Sequence, residues 1–258
     1  MRATSPEPAR LRVPGAFVDW NDEFAYAPQH WTHPDVLANG RHLADGGRWA
    51  DPPDVLSLRT EVEQRTTIEQ AGEPKRLGDV VRFDPKSGAP LNPMGRTGLG
   101  GRGQLGRWGP NPAVDPIITR RHPTSGHLQV LVVGRSDAKG WALPGVLERD
   151  HETPPQALRR AFAKFGQAVG EGKSPDEMAA VRVALNELIK LRREVFAGYT
   201  ADPRNTDHAW IETKVFHLHC SSELAKQLSM REDSENGAFV CERRAHTCHD
   251  NQFTLDGV

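Results

Sequence analysis

Cysteine is scarce in this chain. Cys220, Cys241 and Cys248 are too few for a disulfide framework, so packing must hold the fold, and a reducing compartment is the simpler setting. Long apolar runs are missing as well. Nothing approaches the roughly 20 residues that cross a bilayer, which leaves no membrane contact to expect of this segment. Neither sign of charge dominates. The formal net charge is -1, so no global field draws the chain onto nucleic acid. Residues 1–14 carry arginines, prolines and Glu7 but lack the apolar centre of a secretory signal. Internal repeats and long low-complexity tracts are absent. One further absence is local: no glutamate or aspartate lies between residues 153 and 170.

What remains is compatible with one large domain or a domain with a smaller lobe: 258 residues, 37% hydrophobic and 26% charged. Residues 1 to about 70 show weak periodicity and read as irregular, with "FVDWNDEFAYAP" (17–28) as an aromatic-anchored segment. The window 88–112 is dense in glycine, proline and arginine, and both glycine and proline break regular elements, so none is expected there. Short β-branched runs at 115–120 and 127–135 predict neighbouring strands, with a third extended piece at 140–145. Helices are expected at about 155–168 and at 174–194. The second carries Ser174, Pro175 and Glu177 as a capping signal and a stripe of Val181, Leu185, Leu188 and Leu191. A strand at 209–219, a short helix at 221–228 and a last strand at 237–243 complete a mixed α/β plan.

"WALPG" (141–145), followed by a loop and a helix with Glu152 and Arg160, resembles the Nudix box, G-x5-E-x7-R-E-U-x-E-E-x-G-U with U aliphatic. Two longer stretches strengthen the likeness: "LNPMGRTGLGGRGQLGRWGPNPAVDPIITR" (91–120) and "GYTADPRNTDHAWIET" (198–213). Together with "VPGAFVDWNDEFAYAP" (13–28), they resemble one Nudix branch across nearly the whole chain. That branch holds the mitochondrial ADP-ribose pyrophosphatase and the ADP-ribose-binding domain of melastatin-type cation channels. The resemblance implies an α/β/α sandwich preceded by a smaller N-terminal lobe, with the ligand in a cleft between them. On that pattern residues 1–112 are the lobe and its Gly/Arg-rich connector, and 113–258 a Nudix-like core with its box at 146–168. The implied address is intracellular: cytosol, cytoplasmic face of a membrane, or mitochondrion. The implied partner is ADP-ribose or a related nucleotide diphosphate, in a free-standing protein or a larger channel polypeptide.

In an intact box, glutamates one turn apart share a helix face and hold Mg²⁺, a hard cation that prefers oxygen. The metal neutralises the bridging phosphates and activates water. Here Val146 stands for the first glycine and Gln167 for the last. Glu152 and Arg160 are kept, but Ala161, Lys164 and Phe165 occupy the glutamate positions. An ammonium at such a position repels a cation. No metal or other cofactor is therefore expected, Glu152 being the one residual candidate, and Mg²⁺ is required only if the chain is active. The expected hydrolysis rate is at least about a thousandfold below that of an intact relative.

Several residues could still serve a ligand. The turn-rich run 202–210 offers Arg204 for a diphosphate, with Asn205, Asp207 and Trp210 beside it; Asp202 and Asn205 equally suit loop architecture. Glu212 is a candidate base or supporting group. "CERR" (241–244) resembles the family's acid-Arg-Arg segment, which makes Glu242 and Arg244 binding candidates. His217, His219, Cys220, Cys241, Cys248 and His249 form a sequence cluster whose spacing matches no standard zinc finger. The helix within 170–194 reads either as a docking element or as padding. Two functions of different class follow. One is a binding module that recognises ADP-ribose without cutting it, as the box favours. The other is an ADP-ribose pyrophosphatase with displaced ligands such as Glu148, Asp150, Glu152 and Glu212, as a free-standing chain with its own Met1 favours. A decayed homologue that does neither is the third reading.

Overall fold

A computed structural model describes residues 6–41, 49–65, 81–122, 124–134, 141–149, 152–169, 174–221 and 238–241. The chain forms two compact units: Met1–Ala113 with Ala197–Thr213, and Val114–Phe196 with Lys214–Val258.

The first unit contains β1 (His30–Thr32), α1 (Pro34–Arg41), α2 (Arg59–Arg65), β2 (Arg82–Phe83), β3 (Pro90–Leu91) and β4 (Gly100–Gly103). The region expected to be irregular thus holds two helices. Leu58 and Val62, one turn apart, are buried with Val81 and Trp210, and Phe83, Trp108 and Tyr199 pack against them. The expectation that residues 88–112 exclude regular structure also fails. β4 pairs in parallel with β1, and all four of its residues are buried. Missing side chains are the reason, because they let one backbone lie on another. At Gly98, with φ of +85°, a Cβ would come within 2.1 Å of the Leu11 carbonyl oxygen. The carbonyl of Gly98 itself accepts the Leu11 N–H at 2.9 Å.

One long side chain crosses this glycine thread. Arg102 is fully buried, and its Nη1 donates to the carbonyls of Asp51 (2.6 Å) and Gly106 (2.7 Å). Its guanidinium lies 5.2 Å from the Trp108 ring centre. Burial pulls its pKa down to about 10.

The remaining elements are β5 (Gly109–Arg121), β6 (Leu128–Gly134), β7 (Trp141–Ala142), β8 (Val146–Leu147), α3 (Pro154–Val169), α4 (Pro175–Lys190), β9 (Arg193–Thr200), β10 (Ala209–Cys220) and β11 (Ala238–Cys241). Their sheet has the order β11-β6-β5-β10-β9, with β7 beside β6 and β8 beside β5. The expected neighbours pair antiparallel with Thr119 opposite Val130, and β11 joins β6 with Val240 opposite Val130. The extended piece at 140–145 supplies β7, with Ala142 opposite Val133. Residues 222–228 of the helix expected at 221–228 lie outside the described residues.

The core of the second unit joins Ile118, Leu131, Phe216 and Leu218 of the sheet to Leu158 and Phe162 of α3 and Val181, Leu188 and Ile189 of α4. Each such side chain contributes about 1.5–3 kcal/mol by leaving water. The helix read as docking element or padding therefore lends its apolar side to this core. It ends earlier than expected, at Lys190, and Leu191 is 79% exposed while Ile189 is 1% exposed. The following residues, "REVFAGYT", carry the valine, phenylalanine, tyrosine and threonine that favour extended backbone, and form β9.

Candidate functional site

The box segment begins with a forced turn. Gly145 donates its N–H to the Leu143 carbonyl at 2.8 Å, and a Cβ there would meet Asp115 Oδ1 at 1.8 Å. The loop after β8 runs into α3 at Thr153, where the Gln156 side chain reaches back as in one half of a capping box. Thr153 precedes Pro154, and Gln156 Oε1 accepts both the Thr153 N–H and hydroxyl at 2.8 Å. Proline suits the first helical position, where no N–H is needed.

Glu152 and Arg160 meet across this loop. Arg160 Nε donates to Glu152 Oε1 at 2.9 Å, and Nη2 donates to Oε2 at 2.6 Å. Nη2 also donates to the Leu147 carbonyl at 2.7 Å, and Glu152 Oε2 accepts the Arg149 N–H at 2.9 Å. The side chains are only 11% and 21% exposed. The arginine's hydrogen bonds hold the Glu152 carboxyl below its ordinary pKa, and the carboxylate in turn raises that of Arg160. This bidentate pair fastens the loop to the helix. Both carboxylate oxygens are engaged in doing so.

The rest of α3 offers no oxygen ligand by charge, since residues 154–169 contain neither Asp nor Glu. Ala161 is 1% exposed beside Leu158 and Phe162. Lys164, Phe165 and Gln167 lie on the helix, but their side chains fall outside the described residues. Arg159 reaches α4, donating to Asn186 Oδ1 at 2.8 Å. Glu148 is half-buried, and Asp150 lies outside the described residues. Among the described residues no group of three His, Cys, Asp or Glu side chains could hold a metal ion. The box segment does not fit Mg²⁺ in the manner of an intact box, which needs several carboxylates on one helix face.

In the first unit, the turn 202–212 is saturated with hydrogen bonds. Asp207 is 1% exposed. Its Oδ1 accepts from the Thr97 N–H (2.7 Å) and hydroxyl (2.8 Å), and its Oδ2 accepts from the Tyr26 hydroxyl at 2.6 Å. Burial and this carboxylate raise the Tyr26 pKa, so the phenol keeps its proton. Asn205 Nδ2 donates to Tyr199 Oη (2.9 Å) and the Thr200 carbonyl (2.8 Å), while its Oδ1 accepts the Ile211 N–H. Trp210 is buried, and its Nε1 donates to Glu212 Oε1 at 2.9 Å. Arg204 differs: its side chain is 40% exposed, and its Nε and Nη2 donate to the two oxygens of Asp202, both at 2.8 Å.

The structure thus brings together Glu152 with Arg160, Asp202 with Arg204, and Trp210 with Glu212. Glu242 and Arg244 lie outside the described residues, as do Cys248, His249 and the side chain of Cys241. His217 Nε2 and His219 Nδ1 both lie against the Thr119 hydroxyl, at 2.9 and 3.0 Å. Burial lowers the pKa of His217. Cys220, the next residue, belongs to the apolar core instead, where burial pushes its thiol up to about 11. Sequence reasoning does not find the partners that fix the turn: Tyr26, Thr97, Tyr199 and Arg10. "FVDWNDEFAYAP" is the one available signal for Tyr26, and no local spacing links it to Asp207.

Comparison with known proteins adds to this geometry. A family model for the NUDT9-like N-terminal domain matches residues 13–109. A Caenorhabditis elegans protein named putative nudix hydrolase 6 is 40% identical over 225 residues, which cover 86% of this chain and 78% of that protein. The rat mitochondrial ADP-ribose pyrophosphatase is 37% identical over 238 residues, 84% of this chain and 63% of the relative. A channel of Nematostella vectensis, transient receptor potential cation channel subfamily M member-like 2, is 34% identical over 231 residues; the match spans 84% of this chain and 14% of the channel. Among solved structures, the Nudix domain of Shewanella oneidensis NrtR complexed with ADP-ribose aligns with 53% of this chain and 75% of its own, at 16% identity and a TM-score of 0.34.

Proposed function

Because the chain belongs to the Nudix hydrolase family, we propose that it recognises ADP-ribose and has largely lost the power to cut it. One observation carries this reading: α3 has no carboxylate, and the one box glutamate that remains, Glu152, is clasped by Arg160. Hydrolysis of ADP-ribose to AMP and ribose 5-phosphate needs neutralised bridging phosphates and an activated water. With the carboxylates gone, neither is supplied by the box. Each ~1.4 kcal/mol of lost transition-state stabilisation is tenfold in rate, and a rate at least about a thousandfold below that of an intact relative follows.

Recognition survives in this reading because it needs different groups. A diphosphate wants guanidinium or N–H donors, and adenine wants a flat apolar surface with polar edges. Arg204 is the ligand contact of the turn 202–212, being the half-exposed cation of that stretch. Asn205, Asp207 and Trp210 hold the turn behind it, and Glu242 and Arg244 remain candidates for the nucleotide. The protein then acts as an intracellular ligand sensor, free-standing or within a larger channel polypeptide. The relatives support both settings, one by a mitochondrial enzyme's name and one by a channel's.

Calorimetric titration with ADP-ribose, with and without Mg²⁺, tests the reading alongside chromatography for AMP. Binding that ignores Mg²⁺, with no AMP formed, is the expected result. Brisk Mg²⁺-dependent AMP release would overturn it. That outcome would establish the second reading, a pyrophosphatase with ligands such as Glu148, Asp150, Glu152 and Glu212, which the hydrolase names of two relatives favour.

A further inference from the structure

We infer that Arg10 is a positioning residue for ligand binding, clamping the backbone on both sides of Arg204. Its Nη1 donates to the Asn205 carbonyl at 2.6 Å, and its Nη2 donates to the Pro203 carbonyl at 2.7 Å. These two carbonyls flank Arg204 in the chain. The inference rests on the reading of Arg204 as a diphosphate contact and deepens it.

Three features make the clamp specific. Arg10 is itself aimed, because Glu7 Oε1 accepts from its Nε at 3.0 Å and its Nη2 at 2.8 Å. The next residue is pinned by the Leu11 N–H on the Gly98 carbonyl. On the far side, Asp202 fixes the plane of the Arg204 guanidinium and also accepts the Arg204 N–H at 2.9 Å. Asp202 thus holds the Arg204 guanidinium and N–H, while Arg10 holds the carbonyls on either side. A planar fork can satisfy two carbonyls at once, whereas an ammonium is a point charge on a flexible stem. A turn held beforehand does not have to be ordered when the ligand arrives, and preorganisation of this kind appears as affinity.

The test is ADP-ribose titration of the full chain as wild type, R10Q, R10K, R204Q and the double variant R10Q/R204Q, with melting temperatures recorded. R10Q is expected to weaken binding about tenfold and R10K by less. The double variant is expected to bind no more weakly than R204Q alone, because Arg10 acts only through Arg204. A general loss of structure would not produce that coupling. Should R10Q fail to fold, R10K keeps the charge and one bond, and E7Q loosens the aim of Arg10; both are expected to lose affinity by a few-fold. If R204Q loses affinity while R10Q binds like the wild type, or if the two losses multiply, the clamp is refuted. If R204Q binds like the wild type, the reading of Arg204 is wrong, and the clamp falls with it.

Discussion

Two polar segments of this protein are built by opposite means. The turn 202–212 keeps its polar side chains and commits them inward: Asp207, Asn205 and Trp210 are buried, each with named hydrogen-bond partners. The box segment 146–162 has one carboxylate pair, Glu152 with Arg160, exposed polar contacts at Thr153–Gln156 and Arg159–Asn186, and Leu158, Ala161 and Phe162 buried beneath. A buried carboxylate survives where several donors meet it, since an unpaired one costs far more than it returns. A row of carboxylates on one helix face repels itself unless a cation joins it, and alanine, lysine and phenylalanine remove that requirement. The contrast teaches two ways of treating polar groups: a segment either keeps its carboxylates by pairing them inward, or carries few and leaves its hold to apolar packing.

Breaking the first segment should have the larger effect. Asp207→Ala leaves the Tyr26 hydroxyl and both Thr97 donors without their acceptor, and is expected to cost about 3–5 kcal/mol in urea unfolding. Phe162→Ala, in the apolar support of the second segment, should cost about 3–4 kcal/mol by the same measurement. Arg160→Ala should cost about 2 kcal/mol, because Glu152 is left half-paired near the surface; ADP-ribose affinity measured alongside shows whether the pair also shapes the ligand site.

A pH series probes the first segment without mutation. His208 is buried beside Asp207, and its Nδ1 donates to the Pro90 carbonyl at 2.9 Å. Burial lowers its pKa in the folded state below the ordinary 6.5, against the opposing pull of that carbonyl and of Asp207 and Asp84, while nearby His30 lowers it further. Between the two values the unfolded chain binds the proton and the folded chain does not. Stability is then complete above pH 6.5 and falls as the pH drops from there toward the folded value. Urea midpoints at several pH values from 7.5 to 5 should show this slope, and His208→Gln should reduce it, leaving the share of His217, whose pKa burial also lowers. The smallest effect is expected at Lys190→Ala, whose ion pair with Glu187 is well exposed; it should change stability by no more than about 0.5 kcal/mol.

Much of the second unit is legible in the amino-acid order alone. The strands flanking 121–128, the helix after the box and the missing glutamates all follow from periodicity and from residue identity, which act over a few neighbours. The glycine-rich stretch defies such a reading because its partners are remote. Gly98 meets Leu11, and β4 meets β1, contacts that leave no trace in local spacing. The end of α4 falls short of its expected place because Leu191 continues the stripe on paper while the chain already turns toward β9. Residue type points to the candidate ligand groups, yet it cannot tell that Asn205 and Asp207 face inward and Arg204 outward.

Amino-acid order suffices to show that the box helix carries no carboxylate, since composition at aligned positions needs no coordinates. It suffices equally for the family resemblance and for the mixed α/β plan. Three-dimensional packing decides what each surviving polar group does. Asp207 becomes an anchor and Arg10 a clamp only once chain segments distant in sequence, 195 residues apart for Arg10 and Asn205, come within hydrogen-bonding reach, whereas Glu152 fastens to an arginine of its own segment. Hydrogen bonds are short and directional, so which group meets which is a property of the folded chain rather than of its order.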